Sequence, residues 1–260
     1  SKPRDAKKVL ERLIKEAIEG FESDRGIYKE LLHLESLAEY KHDVSSFKNT
    51  ILKNQIPIIR KTLQNKSAKE LDKFRAAFAM AQPGELFNVT ENIMTLAKKW
   101  KYEWYDEREF ESLASCDDLD YHELDDEEYA APGVIGGGIK SHFIYKLYPE
   151  MYPNRSREAV WALWYLSNKK QFGCKEDSEF LMINQEKGNT QQNYFYPYGL
   201  FSFYTLQIFN MLKQLFAMNG VSTNGEYRFV IVDVFLSFVA RKHQSEIDLL
   251  KQNSADAYDH

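Results

Sequence analysis

Cysteine and proline are scarce in this chain of 260 residues, which has two cysteines and seven prolines. Cys116 and Cys174 are too few for a disulfide scaffold, and they favour a reducing compartment. They are also too few for a zinc site built from four thiolates. The first twenty residues alternate charged and apolar side chains and lack the apolar block of a secretory signal. We therefore predict a cytoplasmic protein.

Long uninterrupted apolar runs are missing as well. The most apolar stretch, residues 200–218, is interrupted by polar side chains such as Asn210 and Lys213. Because a membrane-spanning helix needs about 20 predominantly apolar residues, we expect a buried core helix here and no membrane partner. Hydrophobic residues make up 43% of the chain and charged residues 28%, which is typical of a globular protein and excludes disordered or collagen-like classes.

Charge is distributed unevenly along the chain. Residues 101–130 contain 13 acidic and two basic side chains, a net charge of −11, whereas the whole chain carries −5. The acidic side chains lack the glycine and the alternating oxygen ligands of a calcium-binding EF-hand loop. We predict a solvated acidic linker in this stretch. An alternative is an acidic strap that covers a basic surface until phosphate displaces it.

Helical spacing of apolar side chains predicts the fold class. Residues 9–21 place apolar side chains three and four positions apart, which is typical of an amphipathic helix. The sequence Asp24-Arg25-Gly26 predicts a break, after which a second helix follows. No alternation of strands and helices of the Rossmann or TIM-barrel type is present, and we predict a mainly α protein.

Three segments follow from these patterns. We predict an N-terminal helical portion over residues 1–100, the acidic linker over 101–131, and a C-terminal helical portion over 132–260. Two apolar and aromatic runs flank Lys187-Gly188-Asn189, which indicates a possible short β-hairpin near residues 180–197.

A glycine-rich turn, Gly133-Val-Ile-Gly-Gly-Gly138, precedes a predicted helix. Ile139 separates the last glycine from Lys140, whereas a phosphate-binding P-loop needs them adjacent. The string Pro132-Gly133-Val134-Ile135-Gly136, with Lys140 and Ser141, resembles the Pro-Gly-Val-Gly core of helix-hairpin-helix modules with one extra residue. That resemblance implies phosphate contacts from backbone amides at a helix start. It does not imply glycosylase chemistry, because Pro153-Asn154-Arg155-Ser156 has no aspartate at the comparable place. The alternative is a turn that lets two helices approach.

A basic stretch with interleaved aromatic residues follows this turn. Residues 131–175 contain seven cations against two carboxylates. Cations that neutralise phosphate and aromatic rings that stack on bases are the expected features of a nucleic-acid surface. The predicted nucleic-acid-binding residues are Gly136, Gly137, Gly138, Lys140, His142, Arg155, Arg157, Lys169 and Lys170.

Catalytic groups are sparse. None of the six histidines lies at zinc-ligand spacing from another histidine or cysteine, and we predict no metal, cofactor or catalytic residue. A divergent metal-dependent nuclease could use Asp177 or Glu179 with Gln185 and Lys187, although Gln185 is an amide where that chemistry needs a carboxylate. We predict a non-enzymatic, nucleic-acid-binding helical module. The alternatives are a helical protein-interaction domain of a larger assembly, with a protein partner or a homo-oligomer, and the divergent nuclease.

Overall fold

The computed structural model describes residues 3–68, 71–119, 121–166, 181–184, 189–192, 198–246 and 248, and most of these residues are helical. The predicted mainly α class is therefore confirmed. The α-helices are α1 (Pro3–Leu32), α2 (Leu34–Glu39), α3 (Val44–Ser46), α4 (Pro57–Gln64), α5 (Asp72–Met80), α6 (Pro83–Glu103), α7 (Glu107–Phe110), α8 (Gly137–Leu147), α9 (Arg157–Leu166), α10 (Tyr198–Met218) and α11 (Arg228–Lys242).

Helix α1 runs through the predicted break without interruption. A Cβ atom at Gly26 would meet nothing within 4 Å, so this glycine lies in open space and not at a helix end. Arg25 donates from Nε to the Lys146 carbonyl at 2.9 Å and from Nη2 to the Leu147 carbonyl at 3.0 Å. These bonds satisfy terminal carbonyls of α8 and fix α1 against it, which outweighs the roughly 1 kcal/mol helix penalty of one glycine.

A π-helix, Phe47–Gln55, joins α3 to α4. Pro57 then occupies the first turn of α4, where its missing N–H is not needed. The next amide, Ile58 N–H, donates to the Tyr28 hydroxyl of α1 at 3.0 Å. Lys48, a buried residue of the π-helix, donates to the carbonyls of Ala79 and Ala81 at the end of α5. The start of α4 is therefore fixed to α1, and the π-helix is fixed to the end of α5.

One cluster of buried side chains joins elements from both predicted helical portions. Helix α8 lies at its centre, with Phe143 and Ile144 fully buried, and it contacts α1 and α6. Tyr152, just beyond α8, donates to the Ala97 carbonyl of α6 at 3.1 Å. Helix α11 packs against α9, α10 and α1. These contacts bring residues from distant parts of the sequence into one core.

The stretch predicted as an acidic linker contributes to that core. It contains α7 and three short 3₁₀ turns, Asp117–Leu119, Tyr121–Asp125 and Glu127–Tyr129. Tyr121 and Leu124 are fully buried. The Tyr121 hydroxyl donates to the Met151 carbonyl at 3.0 Å, and its ring lies 5.0 Å from that of Trp100. The structure does not confirm a solvated linker, because apolar side chains between the carboxylates attach the segment to the core.

Two short strands are described in the second half of the chain. β1 (Leu181–Asn184) pairs antiparallel with β2 (Asn189–Gln192), and Leu181 is opposite Gln192. The residues between them, 185–188, lie outside the described part of the chain, and with them most of the turn predicted at Lys187-Gly188-Asn189.

Helix α10 corresponds to the most apolar stretch of the sequence. Its Phe201, Leu206 and Phe209 are buried in the core, as expected for an internal helix. In the described part of the chain, no helix has the length and apolarity needed to cross a membrane.

Candidate nucleic-acid interface

The glycine-rich turn lies close to α5 and to Arg155. Gly133 has a positive φ of 76°, which favours glycine, and a Cβ atom there would lie 2.7 Å from the Ala77 Cβ of α5. Gly136 caps α8, and a Cβ at Gly137 would collide with the Arg155 guanidinium. Gly133 therefore allows α5 to approach the turn closely, and Gly137 allows Arg155 to approach the start of α8.

Lys140 and Arg155 lie together beneath the acidic stretch. Lys140 is 6% exposed and donates from Nζ to the Leu124 carbonyl, and Arg155 is 3% exposed. Burial lowers the pKa of Lys140 to about 8, although nearby Asp125 raises it. Asp125 in turn accepts from the Tyr198 backbone amide at 2.9 Å. Both cations face the interior, and contact with a phosphate would require them to leave these positions.

The other predicted binding residues are placed differently. Lys146, a cation of the same basic stretch that is not among the predicted binding residues, is buried and donates to Asp24 at 2.6 Å and to the Phe21 carbonyl at 3.0 Å. Arg157 is exposed at the start of α9. Lys169 and Lys170 lie outside the described residues. The structure thus brings Gly136–Gly138, Lys140 and Arg155 together, and their role in binding phosphate stays a prediction.

His142 belongs to a different set of contacts. Its Nε2 lies 3.2 Å from the Tyr28 hydroxyl, the same hydroxyl that holds the start of α4. Burial, together with the nearby charge of Lys146, lowers the pKa of His142 to about 4. The imidazole is therefore neutral at pH 7 and adds no positive charge for phosphate.

A basic surface missed by the sequence analysis lies on the π-helix and α4. Residues 44–68 contain five cations and no aspartate or glutamate. Lys48 is buried, whereas Lys53, Lys61 and Lys66 are exposed and Arg60 is partly exposed. We call these last four side chains, which follow one another from the π-helix through α4 to the turn after it, the basic face. The sequence already indicates this basic segment, because residues 44–68 contain no aspartate or glutamate. A charge count over the first hundred residues as a whole does not reveal it.

The cations of the basic face differ in pairing from those of α1. On α1, Lys7, Arg12 and Lys15 each lie 3.7 Å from a glutamate four positions later. Among the described residues, no carboxylate lies within ion-pair distance of the basic face. Within the described part of the chain, ion pairs therefore do not neutralise its positive charge.

A polar cleft of about 360 Å³ lies between α1, α6 and the start of α11. Two of its three cations are in ion pairs, with Lys101 Nζ lying 2.7 Å from Glu150 and Arg25 Nη1 lying 2.7 Å from Glu22, and three glutamates also line it. Because carboxylates balance its positive charge, the cleft offers an anion less than the basic face does.

Little in the described part of the chain suggests catalysis. Within it, no group of three or more histidine, cysteine, aspartate or glutamate side chains could hold a metal ion. Burial and the neighbouring Asp117 raise the pKa of the Cys116 thiol, which makes it a poor nucleophile. The nuclease alternative depends on residues 177–187, of which the structure describes only 181–184.

Comparison of the chain with protein-family models, with curated proteins and with solved structures finds no match.

Proposed function

We propose that this chain is a non-enzymatic, helical nucleic-acid-binding module that contacts the phosphate backbone through its basic face. The observation that carries this proposal is the acid-free run 44–68, which presents Lys53, Arg60, Lys61 and Lys66 without a carboxylate partner among the described residues. Unpaired cations on one surface attract a polyanion, because binding releases the counterions condensed on its phosphates.

Neighbouring polar groups fit the same ligand. The segment also contains side-chain amides and hydroxyls, the groups that supplement lysine and arginine at phosphates. Arg60 Nη1 lies 3.4 Å from the Asn54 carbonyl, so the end of the π-helix and the first turns of α4 present their cations from adjacent positions. Such contacts orient a backbone without reading sequence, so binding should depend weakly on base identity.

Salt dependence tests this proposal. For four phosphate contacts, log affinity against log salt concentration should have a slope of about −3.6. Replacing Lys53, Arg60, Lys61 and Lys66 together with glutamine should lower affinity for a DNA or RNA duplex at least about tenfold at low salt and nearly abolish the slope. Fluorescence anisotropy across a salt series measures both quantities.

A matched control variant removes the same number of positive charges from α1. Replacing Lys7, Lys8, Arg12 and Lys15 with glutamine changes the net charge equally, but three of these cations already face a glutamate. This control should bind within about threefold of the unmodified chain. Equal losses in both variants would mean that only net charge matters, and no binding by the unmodified chain at low salt would refute the proposal.

A second candidate function, a protein-interaction domain, is favoured by an exposed apolar stripe on α10. Met211, Leu215 and Met218 lie at positions i, i+4 and i+7 and are 61%, 49% and 84% exposed. Apolar side chains in this pattern form one helix face, which is typical of a surface that packs on a partner or a second copy.

Sedimentation equilibrium tests the stripe directly. If it holds two copies together, association should be concentration-dependent and insensitive to salt. Changing Met211 and Leu215 to glutamate should then abolish association and leave the free energy of unfolding within about 0.5 kcal/mol, because both side chains are exposed. A chain that stays monomeric at all concentrations would contradict self-association through this stripe.

A further inference from the structure

Side chains of several elements hold the walls of the polar cleft in place. Arg25 of α1 donates to two carbonyls at the end of α8 and pairs with Glu22. The Tyr227 hydroxyl, just before α11, donates to the same Glu22 carboxylate at 3.0 Å. Lys101 of α6 pairs with Glu150, which follows α8. The cleft of about 360 Å³ is therefore formed by the fold itself, and its volume lies at the lower end of the range for small-molecule pockets.

Three charged side chains that line this cleft have no ion-pair partner in the described part of the chain. Lys29 of α1 forms no hydrogen bond or ion pair there, and neither does the Glu107 carboxylate of α7. Glu226, in the 3₁₀ turn Gly225–Tyr227, accepts from Asn224 Nδ2 at 3.1 Å, but no cation among the described residues lies within ion-pair distance of it. The cleft thus presents one cation and two carboxylates to a ligand.

The Tyr105 hydroxyl adds a hydrogen-bond donor to the cleft. It accepts from Arg228 Nη1 at 3.3 Å, and a guanidinium offers no acceptor for the hydroxyl proton in return. Within the described residues, no other group accepts that proton. Burial raises the pKa of Tyr105 above its ordinary value of 10, despite the opposing effect of Arg228, so the hydroxyl keeps its proton at neutral pH. Tyr105 can therefore donate to a molecule that enters the cleft.

This mixture of charges decides which kind of molecule fits. A simple anion would be attracted to Lys29 but repelled by Glu107 and Glu226. A simple cation would be attracted to the two glutamates but repelled by Lys29. A zwitterion avoids both penalties, because it can turn its carboxylate toward the donors and its ammonium toward the glutamates. Each end then forms charge-assisted hydrogen bonds.

We propose that the polar cleft binds a small zwitterion of the free amino-acid class. Lys29 and the Tyr105 hydroxyl hold its carboxylate, and Glu107 and Glu226 hold its ammonium group. Lys29 and both glutamates are exposed, so the ligand can reach them directly from solvent. The site uses none of the side chains of the basic face, and the proposal does not depend on nucleic-acid binding.

Nuclear magnetic resonance titration tests the proposal with the common free amino acids, each added singly to the unmodified chain at pH 7. At least one of them should shift the signals of Tyr105 and Tyr227 in a saturable manner. The methyl ester of that amino acid lacks the carboxylate, and its N-acetyl derivative lacks the ammonium group. Each derivative should bind at least about tenfold more weakly, because it loses charge-assisted hydrogen bonds at one end. If no amino acid shifts these signals at millimolar concentration, the proposal is refuted.

Two variants test the two ends of the ligand separately. Lys29→Gln and Glu107→Gln should each weaken binding of the amino acid at least about tenfold, and exposed substitutions of this kind leave the fold intact. Lys29→Gln should also reduce the preference over the methyl ester, and Glu107→Gln the preference over the N-acetyl derivative. Lys8→Gln and Glu30→Gln are the matched controls, because both side chains are exposed on α1 outside the cleft, and they should bind like the unmodified chain. Equal losses in the controls and in the cleft variants would overturn the proposal.

Discussion

Replacing Arg228 with methionine is expected to lower the free energy of unfolding by about 3–5 kcal/mol at pH 7. Arg228 begins α11 and is completely buried. It donates to Glu111 Oε1 at 2.8 Å, to the Glu150 carbonyl, and to the Tyr105 hydroxyl at 3.3 Å. Methionine fills a similar volume but donates nothing, so it leaves these acceptors short of a partner. Urea unfolding monitored by circular dichroism measures the loss.

The pH dependence of the same variant checks the mechanism. Burial raises the pKa of Glu111, but hydrogen bonds and charge from Lys213 and Arg228 outweigh it, so the pKa lies below its ordinary value of 4.5. This pair stabilises the fold above pH 4.5 and loses its effect as pH falls further. The variant should therefore lose less stability on acidification than the unmodified chain.

Arg12→Met on α1 is the control for this prediction. Arg12 forms an exposed pair with Glu16, and such pairs are worth about 0–1 kcal/mol. If Arg228→Met lowers the free energy of unfolding as little as Arg12→Met does, the buried cation is dispensable for stability.

The helical class could be predicted because it depends on local spacing. In α1, Ala17, Phe21, Tyr28 and Leu32 follow one another at spacings of four, seven and four positions and are all buried, as a period of 3.6 residues requires. The end of α1 could not be predicted in this way. Gly26 suggests a break locally, but Arg25 bonds to carbonyls more than 120 positions away.

Local sequence patterns were equally unable to predict the contacts of the candidate site. The basic stretch after Gly138 suggested exposed cations, but Lys140 and Lys146 donate to the backbone carbonyls of Leu124 and Phe21. Every residue type presents a carbonyl, so composition and spacing do not reveal such partners. The basic face was easier to find in principle, because an acid-free run leaves its lysines no nearby carboxylate along the sequence.

The acidic stretch was predicted to be a linker because its charges conceal its apolar residues. Phe110, Leu119, Tyr121 and Leu124 are buried, but they follow neither the helical nor the strand period. Phe110 ends α7, the other three lie in short 3₁₀ turns, and the tertiary contacts of those turns with α6 and α10 explain the pattern.

Replacing Tyr121 with alanine tests whether this stretch is core or linker. Tyr121 is 1% exposed, and its ring lies 5.0 Å from Trp100, 5.2 Å from Tyr152 and 5.8 Å from Tyr198. Removing a buried aromatic ring should cost about 3–5 kcal/mol of unfolding free energy. Tyr121→Phe keeps the ring but leaves the Met151 carbonyl without this donor, so it should cost about 1–3 kcal/mol.

Tyr102→Ala provides the control, because Tyr102 is 72% exposed at the end of α6 and should change stability by about 0.5 kcal/mol or less. Chemical denaturation of all three variants at one pH gives the comparison. If Tyr121→Ala costs no more than Tyr102→Ala, the acidic stretch is loosely attached, as its charge pattern first suggested. If the cost reaches about 3 kcal/mol, the carboxylates of this stretch are held in place by the buried side chains between them. They then lie at fixed positions above Lys140 and Arg155, and release of those two cations would require the core itself to open.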